Sequence, residues 1–538
     1  MNAHDNPTET RRKAIQAAID ATRSAADRNR LGQFATPNAL AIDIARYVDS
    51  MIDDRTRGVH FADPSIGSGS FFSAALAVFG RKRIRSAVGV ELDSAFCEAA
   101  RDLWSDTALE VVPGDFTRIV SNASRPPAPN LILANPPYVR HHHMSGEDKE
   151  RLQRLAHEMT GVQVNGLAGL YVYFLLLATA WMEDGGYAAW LIPSEFMDVN
   201  YGAALKRYLT DRVTLIRAHR FDPENVQFGD ALVSSVVLVF RKAPPPRGHE
   251  AEFTFGGTMN EPHASERIPL ERLRESRKWS VYPSHAGNDR HTVSDGNSPT
   301  LSDFFRIQRG IATGSNEFFV LDRAEAKRHR LPTKYLRPIL PSPRHLKTTV
   351  IEGDDDGYPR IDRQLCVIDC DLPEHVVEKR YPALWKYLQT AAPLGIMDGY
   401  LVGKRSPWYK QEQRAPSPFL CTYMGRGADD KQPFRFILNR SKAIGTNLYL
   451  MLYPVNGLAA MLRKHPGRAV DAHELLGRVS GHELRGEGRV YGGGLNKIEP
   501  SELGRISAAP FVERWPELRS WVQRQGDLFG EQSGRVGA

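Results

Sequence analysis

The stretch from Leu131 to His143, LILANPPYVRHHH, contains the residues with the clearest capacity for chemistry. Asn135 can accept a hydrogen bond through its side-chain carbonyl, and the two prolines that follow lack backbone donors and fix φ. We therefore expect the carbonyl groups of Asn135 and Pro136 to remain unpaired beside the flat ring of Tyr138. This set suits a planar ring with an exocyclic NH2 group, whose nitrogen would become electron-rich enough to attack the methyl group of a sulfonium.

A glycine loop and an acid follow two earlier apolar runs. FADPSIGSGSFF places Asp63, Gly67 and Gly69 between a predicted strand and a predicted helix. Alternate glycines let a ligand approach the backbone, and the helix N-terminus offers unpaired N–H groups. Glu91 ends the next run, 22 residues after Gly69. Dinucleotide-binding folds place a carboxylate for ribose hydroxyls at about this distance.

The charge pattern of this region indicates which ligand it suits. A third acid, Asp115, ends the run after Glu91 and is followed by an aromatic residue, Phe116. No Gly-Lys-Ser/Thr sequence is present, which argues against a P-loop nucleotide site. Asp63 would repel a pyrophosphate but suits a cationic amino group. S-Adenosylmethionine, an adenosine that carries an amino acid, fits better than NAD or ATP.

Alternating strands and helices must position these residues. Seven apolar runs read as strands: VHFADP, SAVGVELD, LEVVPGD, NLILANPP, YAAWLIP, LIRAHRF and LVSSVVLVFRK. Their alternation with amphipathic helices predicts a Rossmann-like, doubly wound α/β domain with a mostly parallel sheet. The acids and the glycine loop would then lie at one sheet edge, beside the topological switch point. The last run could add at an edge or in the antiparallel direction.

The length of the chain predicts more than one domain. At 538 residues it exceeds an ordinary single core. We expect an N-terminal helical segment at 1–30, the α/β domain at 31–245, a connecting segment at 246–290 and a C-terminal α+β domain at 291–538. The proline-rich sequence RKAPPPRG marks the end of the α/β domain.

Composition narrows the class of protein. Hydrophobic residues at 41% and charged residues at 25% are typical of a globular protein. The chain shows no apolar run of 18 residues and no signal-peptide core, so we expect no membrane and a cytoplasmic location. Its 4 cysteines are too few for a disulfide framework. The net charge of +7 permits an anionic partner such as nucleic acid.

The ordered set DPSIGSGSF, GVELD, GDF and LANPPY, preceded by LGQFATP, resembles the adenine-N6 DNA methyltransferases of type II restriction-modification systems. It is most similar to their gamma class, in which the cofactor motifs precede the catalytic motif and a recognition domain follows. The resemblance covers about residues 31–240. It implies a methyltransferase domain, a C-terminal target-recognition domain, and methyl transfer to N6 of an adenine flipped out of duplex DNA.

The resemblance also implies roles for single residues. Asn135, Pro136 and Tyr138 would hold the target adenine, with Phe228 stacking on its other face. The cofactor residues follow from the methionine end to the adenine end: Asp63, Gly67 and Gly69 with Thr36 and Pro37 closing over them, Glu91 for the ribose hydroxyls, and Asp115 and Phe116 for the adenine.

The C-terminal region supplies the expected DNA contacts. IQRGIATGSNEFFVL and GGGLNKIEPSELGRI resemble segments of recognition domains in this family and in type I specificity subunits. The candidate contacts are Arg309, Asn316, Arg405, Trp408, Tyr409, Arg426 and Lys497. Expected partners are double-stranded DNA and a separate cognate restriction endonuclease acting on the same site. We expect a monomer, because a hemimethylated duplex presents one target base at a time.

The histidine run His141 to His143 directly follows the catalytic motif. Metal binding is the less favoured interpretation, because no acidic partners stand at ligand spacing. We expect a mobile loop beside the active site, within reach of DNA. No metal is expected, since a sulfonium already activates its methyl group.

Other functions remain open at this point. The same chemistry serves cytosine N4, an RNA base or, in shorter enzymes, glutamine. The chain could also be the modification part of a larger restriction or phage-defence complex. A fused nuclease is disfavoured because only about 30 residues precede the cofactor motifs and no Asp…Glu-x-Lys site is convincing. A non-catalytic specificity protein would not need an intact set of cofactor acids.

Overall fold

The computed structural model describes residues 7–24, 27–28, 31–120, 126–222, 234–284, 298–426, 432–491 and 494–522. The chain divides into two compact units. The first comprises residues 1–290 together with 491–493, and the second comprises 291–490 and 494–538.

A nine-stranded sheet forms the centre of the first unit. Its strands are β1 Val59–Asp63, β2 Ile84–Glu91, β3 Leu109–Pro113, β4 Leu131–Ala134, β5 Tyr187–Pro193, β6 Thr214–Arg220, β7 Ser235–Arg241, β8 Glu250–Gly257 and β9 Pro262–Pro269. The spatial order is β3-β2-β1-β4-β5-β7-β6-β8-β9. In this spatial order the neighbouring strands β3, β2, β1, β4 and β5 are all parallel. The strand β7 lies antiparallel between β5 and β6. This confirms the predicted doubly wound fold, and the last run is an interior antiparallel strand.

Helices pack against this sheet. They are α1 Pro7–Ala21, α2 Asn38–Ser50, α3 Ser70–Phe79, α4 Ser94–Leu103, α5 Phe116–Ile119, α6 Gly146–Thr160, α7 Leu170–Trp181, α8 Ala203–Asp211 and α9 Leu270–Glu275. Short 3-10 helices cover His141–His143, Ser194–Met197 and Asn200–Gly202.

Both faces of the sheet are buried, as the apolar strand sequences require. In β4, Leu131 and Leu133 pack into one hydrophobic cluster, whereas Ile132 and Ala134 pack into another. Alternate residues of a strand point to opposite faces, so a run that is apolar throughout needs cover on both sides. The helix α7 is likewise apolar around its whole circumference and lies within the core that contains Ile132 and Ala134.

The segment 246–290, predicted as a connection, instead extends the sheet. The strand β8 pairs parallel with β6, and β9 pairs antiparallel with β8. In EAEFTFGG the period-two alternation buries Ala251 and Phe253 while Glu250 stays exposed. The prolines after β7 therefore mark a loop within the unit, and the prediction ended the domain too early.

The second unit is an α+β structure built around a five-stranded sheet. In spatial order its strands are Phe305–Arg309, Tyr449–Pro454, Phe419–Thr422, Phe436–Asn439 and Val350–Ile351. Smaller strands are Val320–Asp322, Leu365–Ile368, Leu336–Ile339, Met424–Arg426 and Leu495–Lys497. Helices are Leu301–Phe304, Asn316–Phe319, Arg323–Arg328, Glu374–Arg380, Pro382–Leu388, Asn456–Lys464, Arg468–Gly477, Gly481–Glu487, Pro500–Gly504 and Ala509–Arg514. The cysteines Cys366, Cys370 and Cys421 are buried free thiols.

Among the residues that the structure describes, none of the helices has the length and apolar character needed to cross a bilayer.

The turn from β1 to α3 contains a glycine that the packing requires. Gly69 has φ +88, and a Cβ there would lie 2.4 Å from Nε1 of Trp104, which donates a hydrogen bond to the Ser68 carbonyl. Gly67 has φ +53, but a Cβ there would meet no atom within 4 Å. We expect Gly69→Ala to lower the free energy of unfolding by about 1–3 kcal/mol, through backbone strain and displacement of the indole.

Gly67→Ala is the matched control, because it introduces the same methyl group at a positive φ without a clash. Urea unfolding followed by circular dichroism measures both variants. Equal destabilisation by the two substitutions would contradict the packing role assigned to Gly69.

Candidate active site

A cavity of about 490 Å³ opens at the carboxyl edge of the parallel strands. Residues that follow β1, β2, β3 and β4 line it, including Ser65, Gly67, Glu91, Asp93, Asp115, Phe116, Asn135 and Pro137. The structure thus brings five of the twelve predicted catalytic and cofactor residues to the wall of one cavity, namely Gly67, Glu91, Asp115, Phe116 and Asn135, while their individual roles stay predictions. This follows from the topology, since parallel strands deliver their carboxyl ends to one edge.

Asp63 ends β1 and lies beneath the cavity wall, with only 2% of its surface exposed. The Ser65 backbone N–H donates to its Oδ1 at 3.0 Å. Burial raises the pKa of Asp63 to about 8, with a further contribution from the nearby carboxylate of Glu91. An acid held in this way gains a full negative charge most readily when a cation lies beside it.

Glu91 ends β2 and is fixed by two backbone donors. Its Oε2 accepts from the Gly67 N–H at 2.8 Å, and its Oε1 accepts from the Asp93 N–H at 2.8 Å. Burial nevertheless raises the pKa of this carboxyl group. The glycine loop and the second acid of the cavity are therefore parts of one rigid hydrogen-bonded unit.

Asp115 and Phe116 follow β3. Asp115 caps α5 by accepting from the backbone N–H of Thr117 at 2.9 Å and from its hydroxyl at 2.8 Å. The guanidinium of Arg151, from α6, lies 3.7 Å from the other carboxylate oxygen. Phe116 is buried, with its ring centroid 5.3 Å from that of Phe174 in α7. One polar and one apolar wall meet at this end of the cavity.

Asn135 follows β4, and its amide has a single favourable orientation. Its Nδ2 donates to the Phe34 carbonyl at 2.8 Å and to Oγ1 of Thr36 at 3.1 Å. The Phe34 carbonyl can only accept, which fixes the nitrogen on that side. Its Oδ1 is buried and has no hydrogen-bond partner in the described part of the chain. An unpaired buried acceptor therefore borders the cavity.

The backbone carbonyl of Asn135 is not free, contrary to expectation. It accepts a hydrogen bond from the Ser65 hydroxyl at 3.0 Å, so the glycine-loop segment and the NPPY segment are tied together. For the carbonyl of Pro136, the described residues provide no donor. Of the two backbone acceptors predicted, the structure supports the one at Pro136.

Thr36 and Pro37 are not among the residues that line the cavity, and their predicted position over the methionine end of the cofactor stays a prediction. Thr36 is buried behind Asn135, and its carbonyl accepts from the Ser70 hydroxyl at 2.7 Å. Pro37 is exposed and precedes α2. Residues 31–35 line the cavity instead. The shift is one to two residues along an extended segment, which sequence spacing does not resolve.

Tyr138 is buried rather than displayed on the cavity wall, with 7% of its surface exposed. Its hydroxyl donates to the Leu191 carbonyl at 3.1 Å, and its ring centroid lies 5.4 Å from that of Phe34. The second predicted aromatic, Phe228, lies outside the described residues. The stacking surface predicted from these two rings stays a prediction.

The histidine run is a 3-10 helix next to the cavity, and His143 contributes to its lining. Burial lowers the pKa of His141 and of His142. In the described part of the chain, no group of three or more His, Cys, Asp and Glu side chains is arranged to hold a metal ion. The run therefore lies beside the cavity, where the sequence predicted a loop, and its contact with DNA stays a prediction.

Sequence reasoning missed several lining residues. Gln16 and Asp20 come from α1, which was assigned to a separate N-terminal segment. Met144 and Leu152 come from the segment after the histidine run. The Ala-rich, polar sequence of α1 contains no ligand-binding motif, so no sequence signal identifies Gln16 and Asp20.

In the second unit, three of the predicted DNA contacts lie together. The guanidinium of Arg309 lies 4.1 Å from the ring centroid of Tyr423, and the ammonium of Lys497 lies 5.2 Å from the same centroid. Exposed Arg426 belongs to the strand that pairs with the strand of Lys497. Asn316 is exposed elsewhere, with its side chain accepting from the Thr313 hydroxyl.

Three other predicted contacts have structural roles. Trp408 and Tyr409 are buried in the hydrophobic core, the latter completely. Arg405 donates to the carbonyl of Thr313 at 2.7 Å and to that of Ala312 at 2.5 Å, and burial lowers its pKa. Their predicted DNA contact is therefore not supported, because the aromatic and cationic groups are used to hold loops of the unit.

Comparison with known proteins gives concordant results. Residues 130–227 match the family model of the Eco57I restriction-modification methylase, and residues 288–525 match that of the type II methyltransferase M.Eco57I, C-terminal domain. Type II methyltransferase M.XamI of Xanthomonas campestris pv. amaranthicola is 29% identical over 457 residues, covering 82% of this chain and 79% of that protein. Type II methyltransferase M.AccI of Acinetobacter calcoaceticus is 24% identical over 498 residues, covering 89% of this chain and 85% of that protein.

Among solved structures, the type IIL restriction-modification enzyme MmeI, determined in complex with DNA, has a TM-score of 0.52 at 14% identity. The match covers 82% of this chain and 65% of that one, so the chain spans slightly under two thirds of MmeI. At this identity the likeness shows the fold alone. The two family matches and the two curated relatives together support a type II restriction-modification DNA methyltransferase.

Proposed function

We propose that the protein transfers the methyl group of S-adenosylmethionine to N6 of an adenine that is flipped out of a specific site in duplex DNA. The observation that carries this proposal is the buried, unpaired Oδ1 of Asn135 at the border of the cavity. An exocyclic NH2 group is the donor that such an acceptor fits. The methylated site would be protected from a cognate restriction endonuclease, and the enzyme would act as a cytoplasmic monomer.

The cavity residues fit S-adenosylmethionine, whose sulfonium supplies a methyl group already activated for transfer. Asp63 would hold the methionine ammonium, Glu91 the ribose hydroxyls and Asp115 the adenine amino group, with Phe116 against the ring. A side chain at Gly67 would project into open space, so its absence leaves room for a ligand against the backbone. The cavity volume lies in the range of small-molecule sites.

The target base would be held by acceptors that polarise its amino group. The Oδ1 of Asn135 and the carbonyl of Pro136 would each accept one N6–H, which leaves the nitrogen lone pair directed towards the methyl group. Adenine cannot reach this site while stacked in the duplex. Stacking on Tyr138 and Phe228 would offset the unstacking, at about 1–3 kcal/mol per ring face.

DNA binding is assigned to the second unit. Arg309 and Lys497 lie near the ring of Tyr423, and exposed Arg426 lies on the strand that pairs with the strand of Lys497, a combination that suits phosphate and base contacts. Lys497 also forms an ion pair with Glu499 at 3.0 Å. The basic net charge of +7 agrees with such a partner.

The function is tested with purified protein, plasmid DNA and methyl-labelled S-adenosylmethionine. Digestion of the product to nucleosides should place all label in N6-methyladenine. Label in N4-methylcytosine would replace adenine as the target, and label on RNA alone would remove DNA as the substrate.

We expect Asn135→Ala to reduce methyl transfer by about 10²-fold or more, since it removes an acceptor that acts on the reacting nitrogen. Binding of S-adenosylhomocysteine, measured by calorimetry, should be retained because the cofactor acids are untouched. Transfer at the wild-type rate would exclude Asn135 as a catalytic residue.

Thr36 is expected to act through Asn135 rather than on the cofactor. Thr36→Val keeps the shape but removes the acceptor of one Nδ2 hydrogen bond, so turnover should fall about tenfold as the amide becomes less well oriented. Thr36→Ser should restore turnover. The affinity for S-adenosylhomocysteine should be the same in all three proteins, and a loss of that affinity with unchanged turnover would return Thr36 to the cofactor.

The raised pKa of Asp63 predicts proton-linked cofactor binding. With a pKa of about 8, this carboxyl group is mostly protonated at pH 7, and a bound ammonium would favour its ionised form. Binding at pH 7 should therefore release a proton, and the affinity should increase as pH rises towards 8. Calorimetry of S-adenosylhomocysteine in buffers of different ionisation enthalpy measures the release, which Asp63→Asn should abolish. Equal release by the variant would assign the proton to another group.

A further inference from the structure

The N-terminal helix α1 is bound directly to the glycine loop of the cavity. The Ser68 hydroxyl accepts from Nη1 of Arg12 at 2.8 Å and donates to Oε1 of Gln16 at 2.8 Å. Ser68 lies between the two loop glycines and has 3% of its surface exposed. Two residues of α1, one helical turn apart, thus meet a single buried hydroxyl.

A buried ion pair fixes the start of the same helix. Glu9 and Arg12 form two hydrogen bonds of 2.8 Å, and the Glu9 carboxylate also accepts from the Ser73 hydroxyl of α3 at 2.7 Å. Burial raises the pKa of Glu9, but the bonds from Arg12 and Ser73 outweigh it, and the net pKa is lowered. Removing charges from water has a cost that only good geometry offsets, so such a pair favours one register of α1.

The hydrogen-bonded chain continues from Ser68 into the cavity. Nε2 of Gln16 donates to Oδ2 of Asp20 at 2.9 Å, and both side chains line the cavity. Beyond Asp20, Arg23 forms an ion pair with Asp93, two residues after Glu91. The end of α1 and the residues just after it therefore connect the glycine loop with Asp93, close to the second acid of the cofactor site. A carboxylate with one bond from Gln16 keeps the capacity to accept further bonds.

We propose that Asp20, which is held in place by Gln16, is a cofactor-binding residue. Its carboxylate accepts a hydrogen bond from S-adenosylmethionine. This inference rests on the proposed function and adds a residue that precedes every cofactor motif of the chain. The adenine amino group of the cofactor is assigned to Asp115, which leaves two donors for Asp20, the ammonium and the ribose hydroxyls. The helix α1 is then a wall of the cofactor site rather than an accessory segment.

The test compares Asp20→Ala with Asp27→Ala. Asp27 is an exposed aspartate in the same segment, its side chain is bonded only locally to Ser24, and it does not line the cavity. Alanine favours helix, so neither substitution should unfold the segment, and equal thermal midpoints would show this. Calorimetry with S-adenosylhomocysteine should give a dissociation constant about tenfold higher for Asp20→Ala, as expected for loss of a charged acceptor, and an unchanged one for Asp27→Ala.

A second ligand distinguishes the two donors. 5′-Methylthioadenosine has the ribose but lacks the amino acid, so a loss of its affinity in Asp20→Ala assigns the ribose hydroxyls. If Asp20→Ala retains its affinity for 5′-methylthioadenosine but binds S-adenosylhomocysteine more weakly, the donor is the ammonium. Wild-type affinity of Asp20→Ala for both ligands would overturn the inference while leaving the proposed function in place.

Failure of the proposed function has a different signature. The wild-type protein would then bind neither ligand and transfer no methyl group. As an independent measurement, hydrogen exchange of residues 7–21 should slow when S-adenosylhomocysteine binds to the wild-type protein, and less so in Asp20→Ala. An exchange rate in α1 that does not change when the ligand binds would contradict the role of α1 as a wall of the site.

Discussion

The Asn135 amide can satisfy both of its N–H groups in only one orientation, and the chemistry of the site depends on this constraint. The Phe34 carbonyl and the Thr36 hydroxyl take the two hydrogens, so Oδ1 is turned to the other side without a partner among the described residues. A buried acceptor left unpaired is unfavourable in a folded protein, which is why most are satisfied. Here a donor on the substrate would recover that energy at the moment of binding. In the proposed reaction, the segment 31–36 would therefore contribute through the direction that it imposes on the Asn135 side chain.

A few hydrogen bonds also link the proposed cofactor residues to the NPPY segment. Ser65 uses its backbone N–H for Asp63 and its hydroxyl for the Asn135 carbonyl. Glu91 in turn holds the Gly67 N–H. Three strand ends are thereby connected within a few hydrogen bonds, so a shift at the cofactor would be felt at the target base. Such connection favours a site in which both substrates are placed relative to each other before reaction.

The fold and the cofactor wall could be predicted from the sequence because continuous apolar runs end in acids or glycines, and parallel topology brings those ends together. Contacts made by ordinary residues could not. Thr36 belongs to the LGQFATP segment, but its hydrogen bond with Asn135 joins residues 99 positions apart in the chain, which the motif does not show. Asp20 carries no motif, and its place at the cavity follows from the register of a helix. Tyr138, by contrast, was recognised by motif, yet its burial against Phe34 depends on packing that no spacing reveals. The strands of 246–290 were missed because a proline run was read as a domain end.

The distribution of charge explains why the two halves of the reaction require different surfaces. Five carboxyl groups line the cavity together with one guanidinium, that of Arg151, so its potential would favour a cationic cofactor over a DNA phosphate; the acids are Asp20, Glu91, Asp93, Asp115 and Asp148. In the proposed reaction a flipped adenine would enter this cavity because the base itself is neutral. Its phosphates would be held elsewhere, and we propose the cations near Tyr423 in the second unit for that role, whereas Arg405 is committed to backbone carbonyls. A net charge of +7 alone could not separate these roles, because it averages an acidic site with basic surfaces. In the proposed reaction, the neutral base and the cationic cofactor would therefore bind in the acidic cavity, and the anionic DNA backbone would bind to basic surfaces.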